Sequence, residues 1–210
     1  MKIAHFGATG NVGSRIVAEA LQRGHEVTAI ARHPEKLKPH PKLTLQQGDV
    51  NNQTDVVRFA AGHDAVISSV KFQLIQPRIL LAGVAQSKVK RLLVVGGAGT
   101  LEVAPGVQLM DSPGFPEAYK PEALGGREFL NLLRAENELE WTFLCPSAEF
   151  APGQRTGKFR LGKDKLLTLP NGESKISMED FAIAMIDELE TPKHIRERFT
   201  VGYWPTKTIA

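Results

Sequence analysis

Gly7-Ala-Thr-Gly-Asn-Val-Gly13 is the stretch on which this chain is organised. A short apolar run, Ile3 to Phe6, leads into it and reads as a strand. Behind it, apolar residues at Val12, Ile16, Val17, Ala20 and Leu21 fall at helical spacing with one buried stripe. Strand, glycine turn and helix together place free backbone N–H groups and the positive end of a helix dipole in front of an anion. In such a unit Gly7 allows the sharp turn, Gly10 lets a pyrophosphate approach the backbone, and Gly13 lets the helix lie close to the strand. The spacing is G-x-x-G-x-x-G rather than G-x-G-x-x-G, and glycines in an ordinary strand–turn–helix would look the same in isolation. Placement favours a dinucleotide site, because the triplet follows a first strand directly and opens an amphipathic helix.

The next strand refines that expectation. Gly24 closes the helix and His25 to Ala31 is a β-rich apolar run. A site for NAD would carry an acid near the end of this strand to bind the ribose hydroxyls. Arg32 and His33 stand there instead, with no acid before Glu35. A guanidinium suits a 2′-phosphate, whose oxygens its planar fork can bind in pairs. A solvated arginine at a strand end is the plainer alternative. NADP is therefore expected in preference to NAD.

With 210 residues, the chain can build one well-buried core. Its 42% apolar and 23% charged content are those of an ordinary globular protein. The net charge of +3 is spread among acids, and the nearest basic cluster, Lys36 to Lys42, is broken by prolines. Nucleic-acid binding is not expected. The single cysteine, Cys145, excludes an internal disulfide and lies in an apolar run, which suggests an inert core thiol in a reducing compartment. No apolar run reaches membrane length, no metal site is assigned, and a cytoplasmic location is expected.

Further along, Lys42–Gln46, Asp64–Val70, Arg91–Val95, Glu140–Cys145 and Arg198–Tyr203 read as strands. Thr54–Ala61, Gln76–Gln86 and about Ala123–Asn137 read as helices between them. This alternation implies a parallel sheet covered on both faces. Thr100 to Pro121, rich in proline and glycine, shows little periodicity, and long loops of that kind are usually functional. Two short strands are expected around Lys165–Thr168. Ser177 is placed to cap the last helix, with Asp180 three residues on able to return a bond to the backbone. The whole chain, 1–210, is expected to be one domain, with acceptor-side elements at 100–121 and 147–176.

Several segments together resemble a known family. They are GATGNVG (Gly7–Gly13), GDV (Gly48–Val50), VVGGAGTL (Val94–Leu101), WTFLCPS (Trp141–Ser147), GQRTGKFRLG (Gly153–Gly162) and GESKISMEDFAIAMIDELE (Gly172–Glu190). The chain is similar to atypical short-chain dehydrogenase/reductases of the NmrA-like, NAD(P)-binding type. Within them it looks most like the bacterial proteins provisionally named NADH-flavin reductases, which are biliverdin reductase B-like. The resemblance implies a Rossmann-type doubly wound parallel sheet with a small C-terminal substrate lobe. It also implies that Gly7, Thr9, Gly10, Asn11 and Val12 hold a pyrophosphate and that Arg32 meets the 2′-phosphate. Asp49 and Val50 would flank the adenine, although Asp49 also reads as a turn residue before the next helix. Ser68, Ser69 and Val70 would border the ribose. Gly96 and Gly97, with the turn Pro146-Ser147-Ala148, would frame the nicotinamide.

One departure bears on chemistry. Typical catalytic members of the wider group use Tyr-x-x-x-Lys, in which Lys lowers the Tyr pKa for proton transfer. Here Tyr119 is followed four residues on by Ala123, Tyr203 meets Lys207 only in the tail, and Gly97 stands where the accompanying Ser would be. Carbonyl reduction by that machinery is not expected. Hydride transfer from NADPH to a flavin, as substrate rather than prosthetic group, or to another planar acceptor needs less, since orientation carries most of the work. Phe150, Arg155 and Phe159 follow the Glu140–Cys145 strand at the carboxyl edge and suit such an acceptor, with Tyr119 and Lys120 the next candidates; packing of the two phenylalanines onto the domain is the alternative. A small-molecule acceptor is thus the expected partner, with a homodimer left open. The competing function is a non-catalytic NADP(H) sensor acting through a protein partner.

Overall fold

Seven short parallel strands form the frame, the inner ones apolar and buried on both faces. The computed structural model describes residues 1–205. In chain order, β1 (Lys2–Phe6), β2 (Glu26–Ala31), β3 (Leu43–Gln47), β4 (Ala65–Ser68) and β5 (Arg91–Val95) alternate with α1 (Asn11–Gln22), α2 (Gln53–Ala60) and α3 (Pro77–Gln86). Then come a small hairpin, β6 (Glu102–Ala104) with β7 (Val107–Gln108), and α4 (Lys120–Arg134). They are followed by β8 (Glu140–Cys145), β9 (Glu149–Ala151), β10 (Arg160–Gly162), β11 (Lys175–Ser177), α5 (Met178–Glu190) and β12 (Glu197–Gly202). The large sheet runs β10-β12-β8-β5-β4-β1-β2-β3, all parallel except β10 on β12. Strand order reverses between β1 and β4, and at such a switch point a doubly wound sheet opens a crevice at its carboxyl edge.

Side-chain alternation along each strand divides the core in two. Ile3, Val27, Ala29, Leu93, Leu144 and Phe199 face α1 and α5, where Ile16, Val17, Phe181 and Met185 meet them. Phe6, Ile30, Leu92, Val94, Trp141 and Phe143 face the other way, onto Val56, Leu80, Val84, Phe129 and Leu133 of α2, α3 and α4. This is the covered parallel sheet that the alternating pattern implies.

Three local expectations are corrected. The stretch from Thr100 to Pro121 is not bare loop: it carries the β6–β7 hairpin and three short 3-10 turns at Ala98–Thr100, Leu109–Asp111 and Glu117–Tyr119. Its register is irregular and its turns are short, so no period shows in the sequence. No strands form at Lys165–Thr168, where Lys165 makes only an isolated bridge to Glu102; the small parallel pair lies on either side, β9 with β11. Ser177 does cap α5, its Oγ accepting from the Asp180 N–H at 3.0 Å. Asp180 returns nothing to Ser177, because its buried carboxylate accepts instead from Thr156 N–H, Thr156 Oγ1, Gly157 N–H and the Tyr203 hydroxyl.

Candidate functional site

The glycine turn is shaped by contacts that only glycine tolerates. Gly7 has φ +84°, and a Cβ there would lie 2.8 Å from the Ser69 carbonyl carbon. A Cβ on Gly13 would lie 2.2 Å from the Gly7 oxygen, so α1 can approach β1 only with glycine at that position. Gly10 differs: its φ of −70° is open to any residue, and an added Cβ would meet only the Gly7 oxygen, at 3.3 Å. The free space over Gly10 faces a cleft.

Gly10 is also the N-cap of α1 and supplies no side-chain bond to the helix. The Gly10 N–H is used within the turn, donating to the Gly7 carbonyl at 3.0 Å. Among the described residues, the N–H groups of Ala8, Asn11, Val12 and Gly13 find no partner. No acid lies in the first turn of α1 to offset the dipole. Orphan donors at an uncompensated helix N-terminus constitute an anion site.

The cleft beside this turn measures about 560 Å³. Of the residues expected to bind the cofactor, Gly7, Thr9, Gly10, Arg32, Asp49, Val50, Ser69 and Val70 line it. Ile30, Val50 and Ile75 give it apolar walls, while the exposed Arg32 and Lys71 bring two cations to it. The Arg32 guanidinium has no hydrogen-bond or ion-pair partner among the described residues; only its carbonyl is used, accepting from Gln47 Nε2 at 3.3 Å. Asp49 is exposed and its carboxylate accepts from the Asn51 N–H, while Asn52 caps α2.

Sequence reading missed the wall at 71–76, which follows β4 at the switch point. It is held by two side chains distant in sequence. Asn51 donates to the Leu74 carbonyl at 2.9 Å and accepts from the Gln76 N–H at 2.7 Å. Glu122 of α4 accepts from the Phe72 and Gln73 N–H groups at 2.8 and 3.1 Å. The only sequence signal for this wall was its position at the carboxyl end of β4.

Other expected residues lie elsewhere. Asn11 and Val12 open α1, Val12 packing partly into the core, and Ser68 is buried in β4. Gly96 and Gly97 follow β5; Gly96 donates to the Leu144 carbonyl, and an added Cβ on Gly97 would find its nearest neighbour, the Phe72 ring, at 3.7 Å. Pro146 ends β8, the buried Ser147 hydroxyl donates to the Val201 carbonyl, and the Ala148 N–H donates to Ser174 Oγ. The Ser147 side chain is therefore turned into the sheet.

Most of the acceptor-side candidates have partners within the protein. Arg155 is not among the residues lining the cleft; its guanidinium forms a two-pronged ion pair with the buried Glu19 of α1, at 2.8 and 2.9 Å. That pairing holds the Glu19 carboxyl below the usual carboxylate range. Phe150 packs on Phe181 of α5, with ring centroids 4.8 Å apart, and Phe159 joins the same apolar cluster. Tyr119 is 65% exposed, and Lys120 pairs with Glu117. The Tyr203 hydroxyl donates to Asp180 and accepts from the Ser177 N–H, and burial raises its pKa; Lys207 lies outside the described residues. Cys145 is fully buried, which pushes its thiol up to about 12. Among the described residues, no cluster of His, Cys, Asp or Glu could hold a metal ion, and no helix is long and apolar enough to cross a membrane.

A glycine turn of unpaired amides at the switch point of a doubly wound sheet defines a dinucleotide-binding protein. A family model described as NAD(P)H-binding matches residues 7–192, and the chain belongs to that family. It is 42% identical over 213 aligned residues to the uncharacterised protein YwnB of Bacillus subtilis (strain 168), covering 96% of this chain and 98% of that one. Among solved structures it is similar to a protein of Bacteroides thetaiotaomicron provisionally named an epimerase, at 47% identity and TM-score 0.92 with 96% of each chain covered. It is also similar to a protein of Streptococcus pneumoniae TIGR4 provisionally named an NADH-flavin reductase, at 36% identity and TM-score 0.85, covering 97% of this chain and all of the other.

Proposed function

We propose that the protein is an NADPH-dependent oxidoreductase acting on a flavin or similar planar conjugated acceptor. The observation that carries this is a cleft lined by Gly7, Thr9, Gly10 and Arg32, beside the unpartnered amides that open α1, with the Arg32 guanidinium itself unpartnered among the described residues. The amides and the open side of Gly10 suit a pyrophosphate, and Ile30, Val50 and Ile75 suit an adenine. Arg32, rather than an acid, follows the end of β2, which suits a second phosphate on the ribose better than a ribose diol.

A bound nicotinamide supplies the hydride in such a reaction. The contribution of this chain is to hold the dinucleotide against the carboxyl edge, where Gly97 leaves space after β5. Acceptor contact then falls to the hairpin region at 100–121, since Arg155 and Phe150 are committed to Glu19 and Phe181. The likeness to a protein provisionally named an NADH-flavin reductase supports the acceptor class.

A sensor that binds NADP(H) without turnover is the second reading. It is supported by the engagement of the Tyr203 hydroxyl with Asp180 and Ser177, which leaves that phenol no free role. Steady-state oxidation of NADPH and NADH with FMN or riboflavin separates the two. Turnover faster with NADPH is expected; tight NADPH binding without turnover on either flavin would favour the sensor.

A further inference from the structure

We infer that His5 is a positioning residue for the dinucleotide: its Nε2–H, acting through the Ser69 hydroxyl, holds the Gly7 carbonyl and thereby the amides of the glycine turn. This rests on the cofactor site proposed above and adds a residue that the glycine motif does not contain.

The assignment follows from counting protons. His5 lies in β1, 1% exposed, with Nε2 2.9 Å from Ser69 Oγ. Ser69 Oγ in turn lies 3.0 Å from the Gly7 carbonyl oxygen and 3.4 Å from that of Phe6. Carbonyl oxygens only accept, and a serine hydroxyl has one hydrogen to give. With that hydrogen directed to the Gly7 oxygen at 3.0 Å, Ser69 Oγ accepts from His5 and Nε2 carries the imidazole proton. Burial keeps the ring neutral by lowering its pKa to about 3, so the second ring nitrogen stays unprotonated.

The Gly7 carbonyl is the hub of the turn. It accepts both the Ser69 hydroxyl and the Gly10 N–H, the latter also at 3.0 Å. A Cβ on Gly13 would strike this oxygen at 2.2 Å and Ser69 Oγ at 2.7 Å, so the relay fills the notch that the third glycine leaves. The Gly7 carbonyl and the Ala8 N–H belong to one planar peptide unit, so fixing the first aims the second in the opposite direction. The Ala8 N–H is one of the unpartnered donors of the turn. A buried, neutral histidine thus orients a donor that it never touches.

The test uses the full chain with His5→Leu, His5→Gln, Ser69→Ala and the Leu/Ala double variant, each titrated with NADPH. His5→Gln keeps an amide N–H able to reach Ser69. We expect His5→Leu to weaken binding about tenfold, the scale of one lost hydrogen bond. The Gln variant should restore most of that loss, and the double variant should bind no more weakly than Ser69→Ala alone. Wild-type affinity in His5→Leu, full additivity in the double variant, or no rescue by Gln overturns the relay. Nitrogen NMR of His5 in the wild type supplies a reading independent of any variant's folding: the Nε2–H tautomer is expected and the Nδ1–H tautomer refutes it. A wild type that binds no NADPH would sink the cofactor site while leaving the tautomer result to judge the relay.

Discussion

Replacing Arg32 by alanine isolates the cofactor's second phosphate. Because the guanidinium is exposed and makes no bond among the described residues, its loss should leave folding stability nearly unchanged. The Arg32 carbonyl, which does accept a bond from Gln47, survives the substitution. What disappears is a charge-assisted hydrogen bond to phosphate, about 1.5–3 kcal/mol in general. Solvent screening at this exposed rim, and the second cation Lys71 on the same cleft, argue for the lower end. A loss of about 1.5 kcal/mol corresponds to roughly tenfold weaker NADPH binding. NADH, lacking that phosphate, should bind the variant as it binds the wild type. Fluorescence titration of both proteins with both cofactors, repeated at low and high salt, measures this directly. The wild-type preference for NADPH should shrink as salt rises, and the variant should show little such dependence. Equal losses for the two cofactors would mean that Arg32 acts on the turn rather than on the phosphate, and unchanged NADPH affinity would remove it from the site.

Three further outcomes are expected. Gly10→Val should fold, since φ is −70° and only the Gly7 oxygen comes near the added carbon, yet lose NADPH binding because the side chain takes the pyrophosphate's place; circular dichroism with titration checks both halves. Arg155→Ala should cost about 1 kcal/mol in chemical denaturation, discounted for an arginine nearly half exposed, and leave the ratio of FMN to riboflavin turnover unchanged; a selective rise in KM for FMN would return Arg155 to the acceptor site. For pH, the His5 pKa is lowered from 6.5 to about 3 on folding, so the unfolded chain binds the extra proton and stability falls as pH drops below about 6.5. At 1.36 kcal/mol per unit, about 2 kcal/mol should be lost by pH 5, before the depressed carboxyls such as Glu19 begin to matter below about 4.5. Melting of wild type and His5→Gln between pH 5 and 7 reads this contribution, and identical slopes would contradict it.

The local code of this chain was legible in its residues. Short apolar runs marked the seven parallel strands of the large sheet and apolar residues at a period of 3.6 its helices, because burial on two faces or along one stripe needs those patterns whatever the partner. The glycine triplet and Arg32 likewise announced the cleft, since backbone conformation and the choice between acid and guanidinium are properties of single positions. Partner choice was different. Arg155 has the right chemistry for a phosphate, but tertiary packing delivers Glu19, distant in sequence, to its guanidinium first. Phe150 reads as a stacking platform until Phe181 covers it. Asp180 has the spacing of a capping residue, yet its carboxylate is taken by Thr156, Gly157 and Tyr203. Asn51 and Glu122 shape a cleft wall from opposite directions along the chain, and His5 orients a glycine turn through a serine that β4 brings alongside. A residue's type states which bonds it can make; only the fold decides which group arrives to make them, because donors and acceptors far apart in sequence compete for each buried polar atom.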